Sequence, residues 1–149
     1  MHQRKHTHHS LLDRKTKLLV LFIIGGLICL LIELLWRGHT HWSMGIVGGI
    51  CFLICGSLNE KFLRSTKFWK QVLIGDCAIV IVEFCNGVLL NLVLKWNIWD
   101  YSHMPLNLLG QICLPFALLW LPIAAFAIFM DDFLRHYLYG EPWPHYVWL

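Results

Sequence analysis

Four long apolar stretches separated by short polar ones dominate the chain: Leu18 to Trp36, Trp42 to Leu58, Gln71 to Leu94 and Leu106 to Met130. A helix rises 1.5 Å per residue and needs roughly 20 largely apolar residues to cross a hydrocarbon core of about 30 Å. The pattern therefore predicts an all-α, polytopic membrane protein: a bundle of four transmembrane helices over residues 18–130. A basic, histidine-rich tail (1–17) precedes the bundle and a second tail (131–149) follows it. Ser10-Leu11-Leu12-Asp13 has capping-box spacing and would start the first helix before the bilayer. That first run is 19 residues long and ends in Glu33-Leu34-Leu35-Trp36-Arg37 with no small-residue cleavage site, so it reads as a retained span rather than a signal peptide. Trp42 to Leu58 is short and glycine-rich, and a re-entrant or buried helix is the alternative for it.

Composition strengthens this picture. Of 149 residues, 58% are hydrophobic and 14% charged, with a mean hydropathy of +0.60; soluble domains average about 25% charged. Disorder, collagen, coiled coil and a disulfide-stapled module each need a composition or repeat that is absent. The net charge of +3 does not point to nucleic acid, because the basic residues are not gathered with exposed aromatics on one face. They follow the membrane instead. Arg4, Lys5, Arg14, Lys15 and Lys17 precede the first span, Lys61, Arg64, Lys67 and Lys70 lie between the second and third, and Arg135 follows the fourth. The opposite side carries Arg37 and Lys95, and this asymmetry predicts that both termini are cytoplasmic.

The six cysteines (29, 51, 55, 77, 85, 113) all fall in apolar runs without a CxxC pair, so they read as packing residues. His2, His6, His8 and His9 read as a solvated tail, while His39, His41, Asp100 and His103 lack any fixed spacing, so no metal or other cofactor is expected. P-loop, HExxH and GxSxG patterns are absent, and the chain does not read as an enzyme. An intramembrane hydrolase using Glu33 and Glu83 is the minor alternative.

Charged side chains inside a span are costly, and function is the default explanation for them. Glu33 lies 15 residues after Leu18, roughly 22 Å along the first span, with Arg37 one turn further on the same face. The pair can neutralise itself at i, i+4. Glu83, about 18 Å into the third span, has no basic neighbour on its own helix. It must carry a proton, pair across helices or face a wetted cavity. At 100° per residue, Asp76, Glu83, Gly87 and Asn91 share an arc of roughly 80°. Asp76, near the cytosolic end, can snorkel or pair with Lys70. The fourth span would return Asn107 and Gln111 to the outer boundary, so Glu33, Arg37, Glu83, Asn91, Asn107 and Gln111 are the candidate substrate- or ion-binding residues of an outer-half cavity.

Gly25-Gly26 and the Gly45-x3-Gly49 motif permit close helix approach, within the chain or between copies. Pro115 and Pro122 would kink the fourth span. The Lys95 to Pro105 loop, with Trp36 and Trp42, reads as an interfacial aromatic belt. A short echo suggests two tandem two-helix repeats: Glu33-x4-Gly38, Trp42-Ser43-Met44 and Gly48-Gly49-Ile50-Cys51 against Glu83-x3-Gly87, Tyr101-Ser102-His103-Met104 and Gly110-Gln111-Ile112-Cys113.

Several blocks resemble a known family. Glu33-Leu-Leu-Trp-Arg-Gly38, His41-Trp-Ser-Met44, Gly56-Ser-Leu-Asn-Glu60, Glu83-Phe-x-x-Gly87-x3-Asn91, Trp99-Asp-Tyr-Ser102 and Pro105-Leu-Asn-x-x-Gly110-Gln-Ile-Cys-Leu114 are similar to the bacterial ABC-transporter permease family of CmpB type, over about residues 18–146. The resemblance implies a small multispanning protein of the bacterial cytoplasmic membrane, a permease or transport-associated subunit. Four helices make a thin wall for a transport path, so a homo-oligomer or a separate membrane or ATPase partner is expected alongside the lipid bilayer. The competing reading is a non-transporting interaction or assembly protein whose buried polar groups are structural.

Overall fold

A computed structural model describes residues 13–58, 60 and 66–148. Ser10, the tail histidines, Lys61 and Arg64 lie outside the described residues. Among the described residues there are four α-helices: α1 (Arg14–Arg37), α2 (Trp42–Ser57), α3 (Phe68–Gly87) and α4 (Leu114–Tyr139). A π-helical turn, Val88–Val93, extends α3, and a two-stranded antiparallel ladder, β1 (Asn107–Leu108) with β2 (Ile112–Cys113), precedes α4.

The start of α1 is set by Asp13, whose carboxylate accepts the Thr16 amide at 3.1 Å. It ends at Gly38, where φ is +72° and the glycine N–H donates to Leu34 O at 2.9 Å. Three residues later the His41 imidazole accepts the Ser43 amide at 3.3 Å and opens α2. A turn this tight returns α2 antiparallel along α1. The two backbones meet because glycines face each other: a Cβ on Gly26 would stand 2.5 Å from the Gly45 carbonyl oxygen, and one on Gly49 2.7 Å from the Phe22 ring. The Gly45-x3-Gly49 motif is thus used within the chain.

α1, α3 with its π-helical turn (Phe68–Val93) and α4 are long and apolar enough to cross a membrane, with mean hydropathies of 3.0, 2.0 and 1.9. The 16 residues of α2 extend about 24 Å, short of a full hydrocarbon core of about 30 Å. Leu27 and Leu35 of α1 are 60% and 78% exposed, and large apolar side chains continue along the outer faces of α3 and α4. An apolar surface of that extent calls for lipid.

The expected fourth segment, 106–130, is displaced in the structure to Leu114–Tyr139. Leu106, Leu109 and Gly110 all have positive φ (50°, 52° and 69°), which no helix can contain, and the chain there folds into the β1–β2 ladder. Pro115 then sits in the first turn of α4, where its missing N–H costs nothing. At the other end the helix continues through 131–139, beyond the expected start of the C-terminal tail, because Asp131, Asp132 and Arg135 find partners and are buried. The proposed repeat does not extend to local structure: Gly48–Cys51 is mid-helix in α2, whereas Gly110–Cys113 is turn and strand.

The core joins Leu21 of α1, Phe52 and Cys55 of α2, Ile79 of α3 and Ala124, Ala127 and Ile128 of α4. α1 packs chiefly on α2 and hardly touches α4. The space left between α1 and the α3–α4 pair is a cavity.

Candidate functional site

This cavity has a volume of about 250 Å³, and all four helices contribute to its wall. Its wall mixes aliphatic side chains with aromatic rings: Trp36 from α1, Phe52 from α2, Trp99 and Tyr101 from the loop before β1, and Phe116, Trp120 and Phe126 from α4. Among the described residues lining it, the charged side chains are Glu33, Arg37 and Glu83.

Glu83 reaches the wall because α3 buries every fourth residue, Gln71, Gly75, Ile79, Glu83 and Gly87, against its neighbours. Its carboxylate accepts the Trp120 indole N–H at 2.8 Å and the Tyr101 hydroxyl at 3.4 Å. Both donors are neutral, and no ion pair to Glu83 forms among the described residues. Tyr101 is held by stacking on Phe116, centroids 4.7 Å apart. Burial, reinforced by the nearby Glu83 carboxylate, pushes the Tyr101 phenol above its ordinary range, so it stays a donor.

Glu33 and Arg37 neutralise each other across one turn of α1, with Arg37 Nη1 donating to Glu33 Oε1 at 2.8 Å. The Thr40 hydroxyl donates to the second Glu33 oxygen, and Arg37 Nη2 donates to Ile98 O at 2.9 Å. This pair therefore fastens the loop before β1 onto α1 while forming one corner of the cavity.

Three of the six candidate residues line the cavity, and the other three do not. Asn91 and Gln111 are buried in a latch beside it. Asn91 Nδ2 donates to Trp99 O at 3.0 Å and to Gln111 Oε1 at 2.9 Å, while its Oδ1 accepts the Ile98 amide at 2.7 Å. Gln111 in turn donates to Leu109 O at 2.9 Å, and its backbone carbonyl accepts the Trp99 indole at 2.9 Å. Gly87 leaves the space this needs, since a Cβ there would lie 2.8 Å from Gln111 Oε1 and 3.1 Å from Trp99. Asn107 is exposed and ties its own turn, donating to Ser102 O and Met104 O at 3.2 and 2.9 Å and accepting the Gly110 amide at 3.1 Å. The Asp100 carboxylate accepts the Ser102 hydroxyl and then its amide, which hold it below the usual carboxylate range. Its role is local too.

Trp99, Tyr101, Phe116 and Trp120 were not among the residues expected at the site. Trp99 is 5% exposed rather than part of an interfacial belt, whereas Trp36, Trp42 and Trp96 stay exposed. The alternation Trp99, Tyr101 on either side of the turn-forming Asp100 was the available signal.

A second polar cluster occupies the opposite end of the bundle. Arg135 donates to Asp131 at 2.5 Å and pairs with Glu60 at 3.0 Å, while Lys17 pairs with Glu141 at 2.8 Å. Asp131 is fully buried against Gly56, whose lack of a side chain makes room for the carboxylate. Lys17 also lies over the Tyr139 ring at 4.9 Å, and Tyr146 donates to Asp132 at 2.6 Å. The cluster ties α1, α4 and the C-terminal segment to one another.

No solved structure matches the chain. A family model does match, over residues 20–144, which runs from the second turn of α1 past the end of α4 and so includes the cavity, the latch and the Glu60–Asp131–Arg135 part of the second cluster. The chain belongs to the family described as Putative ABC-transporter type IV.

Proposed function

We propose that this chain is a transport-associated permease subunit of the bacterial cytoplasmic membrane, with both termini inside and the Glu33–Arg37–Glu83 cavity in the outer half of the bilayer. The observation that carries the reading is the cavity of about 250 Å³ between α1 and the α3–α4 pair, with the Glu83 carboxylate on its wall. An intramembrane carboxylate that opens onto space, rather than onto a basic partner, is what a ligand or ion pathway requires. Family membership supports a transport role. Orientation follows from the Lys and Arg asymmetry of the connecting segments.

The chain has no nucleotide-binding motif of its own, so an ABC role requires a separate ATPase. With three helices long enough to cross and a short α2, one copy offers a thin wall, and a second copy or another membrane subunit would complete the path. The site residues are Glu33, Arg37 and Glu83, and Asn91 and Gln111 support them by holding the loop that carries Trp99 and Tyr101. No catalytic role is assigned to them. Gentle affinity purification from native membranes, with the intact mass of the complex, tests the reading. A stoichiometric ATPase supports a subunit of an ABC transporter; a homo-oligomer alone removes that label and leaves an ion-coupled carrier. Recovery of the chain only in complexes without transport components would favour the assembly reading, which the saturated hydrogen bonds of Asn91 and Gln111 support.

A further inference from the structure

We infer that the cavity takes a lipophilic organic cation, a quaternary or tertiary ammonium with an apolar body. The inference rests on the proposal that this cavity is a ligand path, and it adds the chemical class. Charge comes first. Arg37 is consumed by Glu33 and by the Ile98 carbonyl, so the wall carries one acid without a basic counterpart. Among the described residues Glu83 is hydrogen-bonded only by the N–H of Trp120 and the O–H of Tyr101 and forms no ion pair, so a bound cation supplies a direct counter-charge. An anion would face Glu83 across an apolar space, and a small hydrated metal ion would find too few oxygen ligands there.

The wall chemistry selects among cations. Aromatic faces attract a diffuse ammonium through their quadrupoles when the ion lies within about 6 Å of the ring. Trp36, Trp99, Tyr101, Phe116 and Trp120 line the cavity together with Glu33 and Glu83, and aliphatic side chains such as Ile32 and Ile123 share the lining. A strongly hydrated ammonium or alkali ion would lose its water without replacement. An ion with methylated nitrogen and an apolar body loses little, because it is weakly hydrated and its body meets apolar walls.

The test is isothermal titration calorimetry on the detergent-purified full chain with three probes of similar size: benzyltrimethylammonium, neutral N,N-dimethylbenzamide and anionic 3-phenylpropanoate. The expected result is saturable binding of benzyltrimethylammonium, at least tenfold weaker binding of the amide and no binding of the anion. E83Q is expected to weaken the cation at least tenfold and leave the amide unchanged. Phe116→Leu, which keeps the charge but removes an aromatic face, is expected to weaken the cation more than the amide. Competition by dihexanoylphosphatidylcholine separates the two sources of this chemistry: displacement identifies a lipid headgroup as the occupant, and failure to displace identifies a free ion. Equal affinity for cation and amide would overturn the cation assignment while leaving the cavity a ligand site. Binding of the anion alone would do the same. Absence of binding by all three would overturn it as well, and the composition of the purified complex would then decide the transport reading separately.

Discussion

Replacing Asn91 with alanine removes three hydrogen bonds, and so does replacing Asn107, yet the two variants should differ several-fold in stability. Asn91 is 6% exposed and its partners, the Trp99 carbonyl, the Gln111 amide and the Ile98 N–H, lie with it inside the protein. Asn107 makes its bonds to Ser102, Met104 and Gly110 at an exposed turn. Water replaces a lost partner at the surface, whereas a buried group left unpaired keeps its desolvation penalty. Hydrogen bonds in membrane proteins average about 0.6 kcal/mol by double-mutant cycles, and those in soluble proteins about 1 kcal/mol. Asn91→Ala should therefore cost about 2–3 kcal/mol and Asn107→Ala under about 1 kcal/mol. For a chain of this size that corresponds to a drop of roughly 5–10 °C in melting midpoint for the first and a few degrees at most for the second. Thermal unfolding in detergent micelles measures the difference, and hydrogen exchange at the Ile98 amide locates it, since that N–H loses its acceptor only in Asn91→Ala. Equal losses in the two variants, or an unchanged Ile98 exchange rate in Asn91→Ala, would refute the assignment of Asn91 and Gln111 to a structural latch.

Gly56→Ala drives a methyl group into the Asp131 carboxylate and should cost at least the roughly 1–3 kcal/mol of an overpacked core, read as a lowered melting midpoint, while Gly38→Ala, which has open space around it, should cost only the backbone strain of its positive φ. Arg135→Met leaves Asp131 buried without its partner and should destabilise by about 3–5 kcal/mol; Arg135 also pairs with Glu60, so adding Asp131→Leu should recover the part of the loss due to the buried Asp131 carboxylate, and no recovery would exclude that carboxylate as its source. Burial works against the charge of Glu141, but the hydrogen bonds to Lys17 and Glu60 and the charges of Lys17 and Arg135 together outweigh it and hold the carboxyl below its usual value of 4.5. The stability this contributes is present above the unfolded value and lost as pH falls through the folded one, so wild type should lose melting temperature below about pH 4.5 more steeply than Glu141→Gln; parallel curves would exclude the linkage.

Hydropathy made α1, α3 and α4 legible because each carries a largely apolar run long enough to cross lipid, and the i, i+4 spacing of Glu33 and Arg37 pointed to their pairing. The start of α4 was misplaced for a physical reason. Leu106, Leu108, Leu109 and Ile112 are as apolar as a span, and only backbone dihedrals distinguish a strained, leucine-rich turn from the first turns of a helix. A hydropathy window cannot sense φ, although Pro105, Asn107 and Gly110 together were a turn signal. The end of α4 was misjudged in the opposite sense. Asp131, Asp132 and Arg135 look like the polar boundary of a span, yet Asp131, Arg135 and Tyr139 recur every fourth residue, the mark of one buried helix face.

The candidate polar residues divide by partner type, which composition and periodicity cannot reveal. Asparagine and glutamine in an apolar segment bring both donors and acceptors, so they can pair with one another and with the backbone, as Asn91 and Gln111 do around Trp99. A carboxylate offers only acceptors, and Glu83 has to draw its donors from elsewhere. Two neutral side chains, Trp120 and Tyr101, supply them from α4 and from the loop that the latch holds in place. The latch and the cavity are consequently coupled through Trp99 and Tyr101, two residues apart on one strand of loop. Loosening Asn91 should disturb the donors around Glu83 without touching the carboxylate, whereas changing Glu83 leaves the latch bonds intact. A variant that weakens ligand binding through Asn91 should therefore also speed exchange at Ile98, and one that acts through Glu83 should not.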